Sequence, residues 1–88
     1  MVKHYRREFE PSFRVICRIL KILLERGAVS KTVLSQAAGI NYSRLLRHLD
    51  WLDHRQIIEL MVERHKVLVR LTRRGKEFAL ILSGNNRH

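Results

Sequence analysis

From Ile57 onward the hydrophobic period of this chain changes from helical spacing to strict alternation, and that change limits the folds open to it. Ile58, Leu60 and Val62 alternate with Glu59, Met61 and Glu63; after Arg64-His65, Val67, Val69 and Leu71 alternate with Lys66, Leu68 and Arg70. A period of two is the pattern of a strand with one buried face. Folding the segment about Arg64-His65 sets Ile58 against Leu71, Leu60 against Val69 and Val62 against Val67 on one side. On the other side Glu59 meets Arg70, Met61 meets Leu68 and Glu63 meets Lys66. Apolar meets apolar and acid meets base at every pair, which is what cross-strand pairing favours. The sequence therefore predicts a hairpin over 58–71 with a charged tip, Arg64, His65 and Lys66. That tip lacks the Asn-Gly of a tight primed turn, which leaves room for a one-residue bulge or slip.

Upstream the spacing is helical. Between 41 and 54, Tyr42, Leu45, Leu46, Leu49 and Leu52 recur at i, i+3, i+4, i+7 and make one apolar stripe. Ser43, Arg44, Arg47 and His48 fall outside it. One face thus suits a core and the other carries two guanidinium groups, with His48 read as groove-facing or solvated. Trp51 falls on the basic face, to pack on the hairpin or a partner chain, or to meet a DNA backbone. Asn41 is placed to cap this helix. A shorter helix, Lys31 to Ala38, precedes it, capped by Ser30 and ended by Gly39 in a left-handed conformation. Val33, Leu34 and Ala37 are its expected inner residues. Its start, with Ser30, Lys31 and Thr32, offers free backbone N–H groups suited to a phosphate.

The first helix is expected from Ser12 to Arg26, opened by Pro11 or Ser12 and stopped at Gly27. Phe13, Ile16, Leu20, Leu23 and Leu24 form one stripe; Val15, Ile19 and Ile22 form a second; Arg14, Arg18, Lys21 and Glu25 leave a narrow polar strip. So apolar a helix requires cover on more than one side, and a second chain is the expected source. Ala28-Val29 supplies a very short strand. Thr72 is the expected cap of a last helix carrying Phe78, Ala79, Ile81 and Leu82. Gly75 inside it costs about 1 kcal/mol of helix propensity, which points to a close packing contact. Residues 1–11 form a basic arm, with Lys3, Arg6 and Arg7, that either lies along phosphates or frays. Residues 12–83 form the domain, and 84–88 are expected to be a disordered tail.

Charge decides the class of partner. Eighteen Lys and Arg stand against eight Asp and Glu, a formal net charge of +10. The excess is spread over the arm, the helices and the segment after Thr72, which favours nucleic acid or an acidic membrane surface. Arg14, Arg18 and Lys21 interrupt the first apolar stretch. They exclude a signal peptide and also a membrane span, which needs roughly 20 nearly continuous apolar residues. The single cysteine, Cys17, excludes a disulfide scaffold within the chain and makes a reducing, cytoplasmic location the default. Cys17 itself reads as a small buried hydrophobe. The five histidines show no metal-site spacing, and no nucleophile elbow or Gly-rich phosphate loop is present. No cofactor, no metal and no enzymatic activity are expected.

The order helix, short strand, helix, helix, hairpin, helix now carries a resemblance. Ser30 to His54, the hairpin Ile58 to Leu71, and the Leu71-Thr72-x-x-Gly75 start of the last helix resemble a winged helix-turn-helix domain of small archaeal and bacterial transcription regulators. The format is most similar to the archaeal group that includes dimeric DNA-binding and chromatin proteins. The resemblance covers Phe13 to Leu82. It implies an α+β fold, with a three-helix core, a two-stranded wing and a C-terminal helix. It also implies duplex DNA binding by a homodimer in the cytoplasm, on the nucleoid. Helix 41–54 would enter the major groove and wing 58–71 would lie on the backbone or minor groove. The contact residues expected on that basis are Ser30, Lys31, Thr32, Asn41, Tyr42, Ser43, Arg44, Arg47, His48, Arg64, His65 and Lys66. Some relatives pair through a long C-terminal coiled coil, for which this chain is too short, so pairing through helix 12–26 and helix 72–82 is expected. A sequence-preferring regulator is the first expectation. An architectural binder with little base preference and a winged helix used for protein contacts are the alternatives. No small-molecule ligand is evident, and a membrane-surface role for the first helix is disfavoured because the domain needs that helix.

Overall fold

The computed structural model describes residues 9–85; Lys3, Arg6 and Arg7 of the basic arm, and 86–88 of the expected tail, lie outside the described residues. In chain order the elements are α1 (Phe13–Arg26), β1 (Val29–Ser30), α2 (Lys31–Ala38), α3 (Tyr42–His54), β2 (Ile58–Glu63), β3 (Lys66–Leu71) and α4 (Arg73–Asn85).

Local chemistry accounts for the helix ends. Ser12 Oγ accepts from the Val15 N–H at 3.3 Å and starts α1; Gly27, at φ +81°, ends it. Ser30 Oγ accepts from the Val33 N–H at 3.1 Å and starts α2. Gly39 (φ +69°) closes α2, with the Gly39 and Ile40 N–H groups turned back onto the Gln36 and Ser35 carbonyls. That paired closure needs a left-handed residue. Helix α3 closes the same way, Gln56 N–H to Asp53 and Ile57 N–H to Leu52, but its left-handed residue is Gln56 (φ +60°). Thr72 Oγ1 accepts from the Gly75 N–H at 2.9 Å and caps α4, which runs on through Asn85, past the end expected at Ser83.

The three strands lie in the order β1-β3-β2, all antiparallel. Strands β2 and β3 pair from Ile58 with Leu71 to Glu63 with Lys66, the register that the alternation predicts. There is no slip at the tip. Arg64 and His65 form a two-residue loop at φ +51° and +68°, the left-handed pair of a primed turn without its usual glycine. β1 adds a third strand, Val29 opposite Val69 and Ser30 opposite Leu68, one residue later than expected.

The core lies between α1, α2, α3 and the inner face of the sheet. Ile19, Leu20, Leu34, Leu45, Leu52, Ile58 and Val69 are each 1% exposed or less. Each such side chain stabilises the fold by about 1.5–3 kcal/mol. Helix α4 packs onto α1 with buried Ala79 and half-buried Phe78 and Leu82. A methyl group at Gly75 would overlap the Ile57 carbonyl oxygen, which is the close contact that the glycine implied. Three inner faces differ from the sequence expectation. Phe13 is exposed while Val15 and Ile19 of the second stripe are buried; Leu34 and Ala38 turn inward rather than Val33 and Ala37; and Ile81 is exposed. In each case the neighbouring elements decide which side chains of the stripe are covered, and periodicity alone leaves that choice open.

Candidate nucleic-acid interface

Helix α3 follows α2 after a three-residue turn, Gly39-Ile40-Asn41. Ser35 Oγ donates to the Ile40 carbonyl at 2.7 Å, and Arg18 Nη1 donates to the Ala38 carbonyl at 2.8 Å. The second bond fastens α1 to the end of α2 and sets a cation at the negative end of that helix. Asn41 Oδ1 accepts from the Arg44 N–H at 2.8 Å and from the Ser43 hydroxyl at 3.1 Å. The cap therefore uses the Asn41 oxygen and leaves its amide N–H groups as the donors open to a partner.

Leu45, His48, Leu49 and Leu52 are the buried residues of α3, whereas Asn41, Tyr42, Ser43, Arg44 and Arg47 are exposed. Two expectations are thereby corrected. Tyr42 leaves the core stripe and is 47% exposed at the start of the helix. His48 is neither groove-facing nor solvated: it is 1% exposed and joins Leu45, Leu49 and Leu52 on the buried face. The spacing 45, 48, 49, 52 is also i, i+3, i+4, i+7, so the signal was present, but the polarity of histidine hid it. Trp51 is half-buried against the core, with the Arg55 guanidinium 3.8 Å from its ring centroid.

Charge is polarised along this helix. Arg44 and Arg47, one turn apart, occupy its first half; Asp50 and Asp53 occupy its second. Asp50, Asp53 and Arg47 share a cleft with Lys31, Ile58 and Leu60. Among the described residues the one ion pair is Arg70 with Glu59, at 2.6 Å, so neither Arg44 nor Arg47 is held in an ion pair.

The other expected contacts fall on two sites. Ser30 spends its hydroxyl on the α2 cap, with Lys31 half-exposed and Thr32 exposed beside it. Arg64, His65 and Lys66 are exposed at the free end of the hairpin. Leu60, Val62 and Val67, on the inner face of the wing, are 46%, 74% and 45% exposed because they lie beyond the core.

A separate cleft runs between α1 and α4, lined by Arg14, Arg18, Lys21, Leu24, Cys17 and Leu82 among others. Burial pushes the Cys17 thiol above its ordinary value, which makes it a poorer nucleophile at neutral pH. No group of three or more His, Cys, Asp or Glu among the described residues could hold a metal ion, and no described helix is long and apolar enough to cross a membrane.

The fold and this site define a winged helix-turn-helix: α2 and α3 are the helix-turn-helix, and β2 and β3 are the wing. A winged helix-turn-helix family model matches residues 10–85, and the chain belongs to that family. Among solved structures it is similar to a MarR family transcriptional regulator from Silicibacter pomeroyi, with 28% identity and a TM-score of 0.76 over 84% of this chain and 54% of the other. The Mycobacterium tuberculosis protein RV1404 gives 24% identity and a TM-score of 0.75, over 86% of this chain and 53% of the other. BpsR of Bordetella bronchiseptica, whose DNA binding is described as regulated by 6-hydroxynicotinic acid, gives 23% identity and a TM-score of 0.74, over 83% and 53%. The chain thus spans about half the length of these neighbours. No protein of curated function matches it in sequence.

Proposed function

We propose that this chain is the DNA-binding part of a dimeric transcription regulator. Helix α3 enters the major groove by its first half, and the wing lies on the backbone or minor groove. The observation that carries this reading is the pair Arg44 and Arg47: exposed, in no ion pair, and mounted on a helix whose opposite face is buried in the core. An arginine so held can donate two hydrogen bonds to guanine O6 and N7, worth about 1–3 kcal/mol of discrimination. Asn41, Tyr42 and Ser43 stand at the same end to assist on a base edge or phosphate. Ser30, Lys31 and Thr32 at the start of α2, and Arg64, His65 and Lys66 at the wing tip, hold phosphates. His48, 1% exposed, is not among the proposed contacts.

Pairing is proposed through α1 and α4. Phe13, Leu80 and Ile81 on these helices are 66%, 58% and 61% exposed, and a second copy is the cover that such side chains fit. A two-fold dimer presents its two α3 helices to half-sites about 10 base pairs apart. Sedimentation at micromolar concentration is expected to give a dimer; a monomer at every concentration contradicts the pairing.

The test of DNA binding is a duplex titration at several salt concentrations. Affinity is expected to fall with a log–log slope of about −0.9 per phosphate contacted. A flat salt response, or no binding at low salt, overturns the proposal. Selection from a random duplex pool then separates a reader from an architectural binder, since the latter enriches no preferred sequence.

A further inference from the structure

We infer that His48 is the positioning residue of the reading helix: its ring joins the start of α1 to the first half of α3 and sets the orientation in which Arg44 and Arg47 are offered. This rests on the DNA-binding reading above.

The ring is 1% exposed, and both of its nitrogens are engaged. Nε2 accepts from the Ser12 backbone N–H at 3.0 Å, and Nδ1 lies 2.9 Å from the Arg44 carbonyl oxygen. A backbone N–H can only donate and a carbonyl can only accept. The ring is therefore neutral and carries its proton on Nδ1, which donates to Arg44. Neither the other tautomer nor the doubly protonated ring satisfies both partners. Phe9 closes the site, edge-on to the imidazole, with ring centroids 4.9 Å apart and planes at 88°.

The two partners are not arbitrary. Ser12 is the cap of α1: its hydroxyl accepts from Val15 and its carbonyl accepts from the Ile16 N–H at 2.9 Å, so its own N–H is the group that the helix cannot use. His48 supplies the missing acceptor from 36 residues away. At the other end, the carbonyl it holds belongs to Arg44, whose side chain is exposed on the outer face. The joint therefore ties the first proposed base-contacting arginine to the helix proposed to pair two copies. A leucine at 48 would complete the buried set 45, 48, 49, 52 without any polar atom. The imidazole adds a directional link that packing alone would lack, and a directional link fixes rotation of α3 against α1.

Two substitutions and one measurement on the unvaried protein test this. His48→Leu keeps an apolar filler and removes the acceptor; His48→Gln offers an oxygen at similar reach. Folded His48→Leu is expected to bind a preferred duplex about fivefold to tenfold more weakly, the low end of a typical coupling between separate sites, and to discriminate less against random duplex. His48→Gln is expected to recover most of that loss. In the unvaried protein, ¹⁵N NMR is expected to show Nδ1 protonated and Nε2 bare. The same pattern is expected on the duplex complex, since a joint that fixes the helix keeps both bonds when the helix binds. That spectroscopic arm stands even if His48→Leu does not fold. A folded His48→Leu that binds and discriminates like the unvaried protein overturns the inference and leaves DNA binding intact. So does a ring protonated on Nε2, free or on a bound complex. Failure of the unvaried protein to bind any duplex removes the DNA reading, and this one with it.

Discussion

Helix α3 and the wing carry cations by opposite structural means. In α3 the cations sit on a helix whose inner residues Leu45, His48, Leu49 and Leu52 are buried, so the positions of Arg44 and Arg47 are set by the core. In the wing the cations sit at the end of a hairpin whose inner residues beyond the core, Leu60, Val62 and Val67, are largely uncovered. Only the root of the wing is clamped. Thr72 Oγ1 donates to the Gln56 carbonyl at 2.6 Å, the Thr72 N–H donates to the Ile57 carbonyl at 3.0 Å, and Gly75 lets α4 press onto Ile57. A base edge must be met within a few tenths of an ångström and in plane, which demands a fixed mount. A phosphate accepts a cation from many directions, so a long, loosely supported arm serves it. The difference in support matches the difference in proposed task.

Substitutions can break this contrast. The largest effect is expected for Gly75→Ala, where the added methyl meets backbone rather than a flexible side chain. The wing root must move, and loss of about 3 kcal/mol or more, or failure to fold, is expected in urea denaturation. Leu45→Ala, at a residue 0% exposed, is expected to cost about 2–5 kcal/mol. By contrast Val62→Ala, at a wing residue 74% exposed, is expected to change stability by no more than about 0.5 kcal/mol. If the two cost the same, the wing is packed against something in solution and the contrast fails.

A smaller effect sharpens the picture at the tip. His65 holds φ +68° without being glycine, a conformation that costs an L-residue about 1–2 kcal/mol. His65→Gly is expected to stabilise the protein by up to about 1 kcal/mol, since glycine has its own entropic cost. A stabilised variant that binds duplex less well would show that the strain is retained for the side chain, whereas unchanged or lower stability contradicts the strain. The smallest effect is expected for Glu59→Gln, which breaks the Arg70 pair. Both side chains are nearly half exposed, so thermal denaturation is expected to register less than about 1 kcal/mol.

Much of the fold was legible because independent signals agreed. The wing register followed from alternation and charge complementarity together, and the two ends of each pair constrained one another. Ser12, Ser30, Asn41, Gly39 and Thr72 were legible as caps because each has a local chemical reason to be where it is. The inner faces of α1, α2 and α4 were legible only in part, since which side chains of a stripe are covered, Ala38 and not Val33, Val15 and not Phe13, belongs to the neighbours. At the site, the exposed Arg44 and Arg47 could be read from the apolar spacing. The burial of His48 lay in the same spacing but was hidden by its polarity, since the backbone N–H that pairs with it is 36 residues away. The left-handed Gln56 could not be read, where a glycine would have announced itself.

The central claim is that α3 reads sequence while the wing only positions. The most direct test is the ratio of affinities for a selected duplex and a random one, compared between Arg44→Ala, Arg47→Ala and Lys66→Ala under one salt condition. The account predicts that either arginine substitution weakens the selected duplex by about 1–3 kcal/mol more than the random one, collapsing the ratio. It predicts that Lys66→Ala weakens both alike and keeps the ratio. Arginine substitutions that lower both affinities equally would contradict it and make the protein a coating binder.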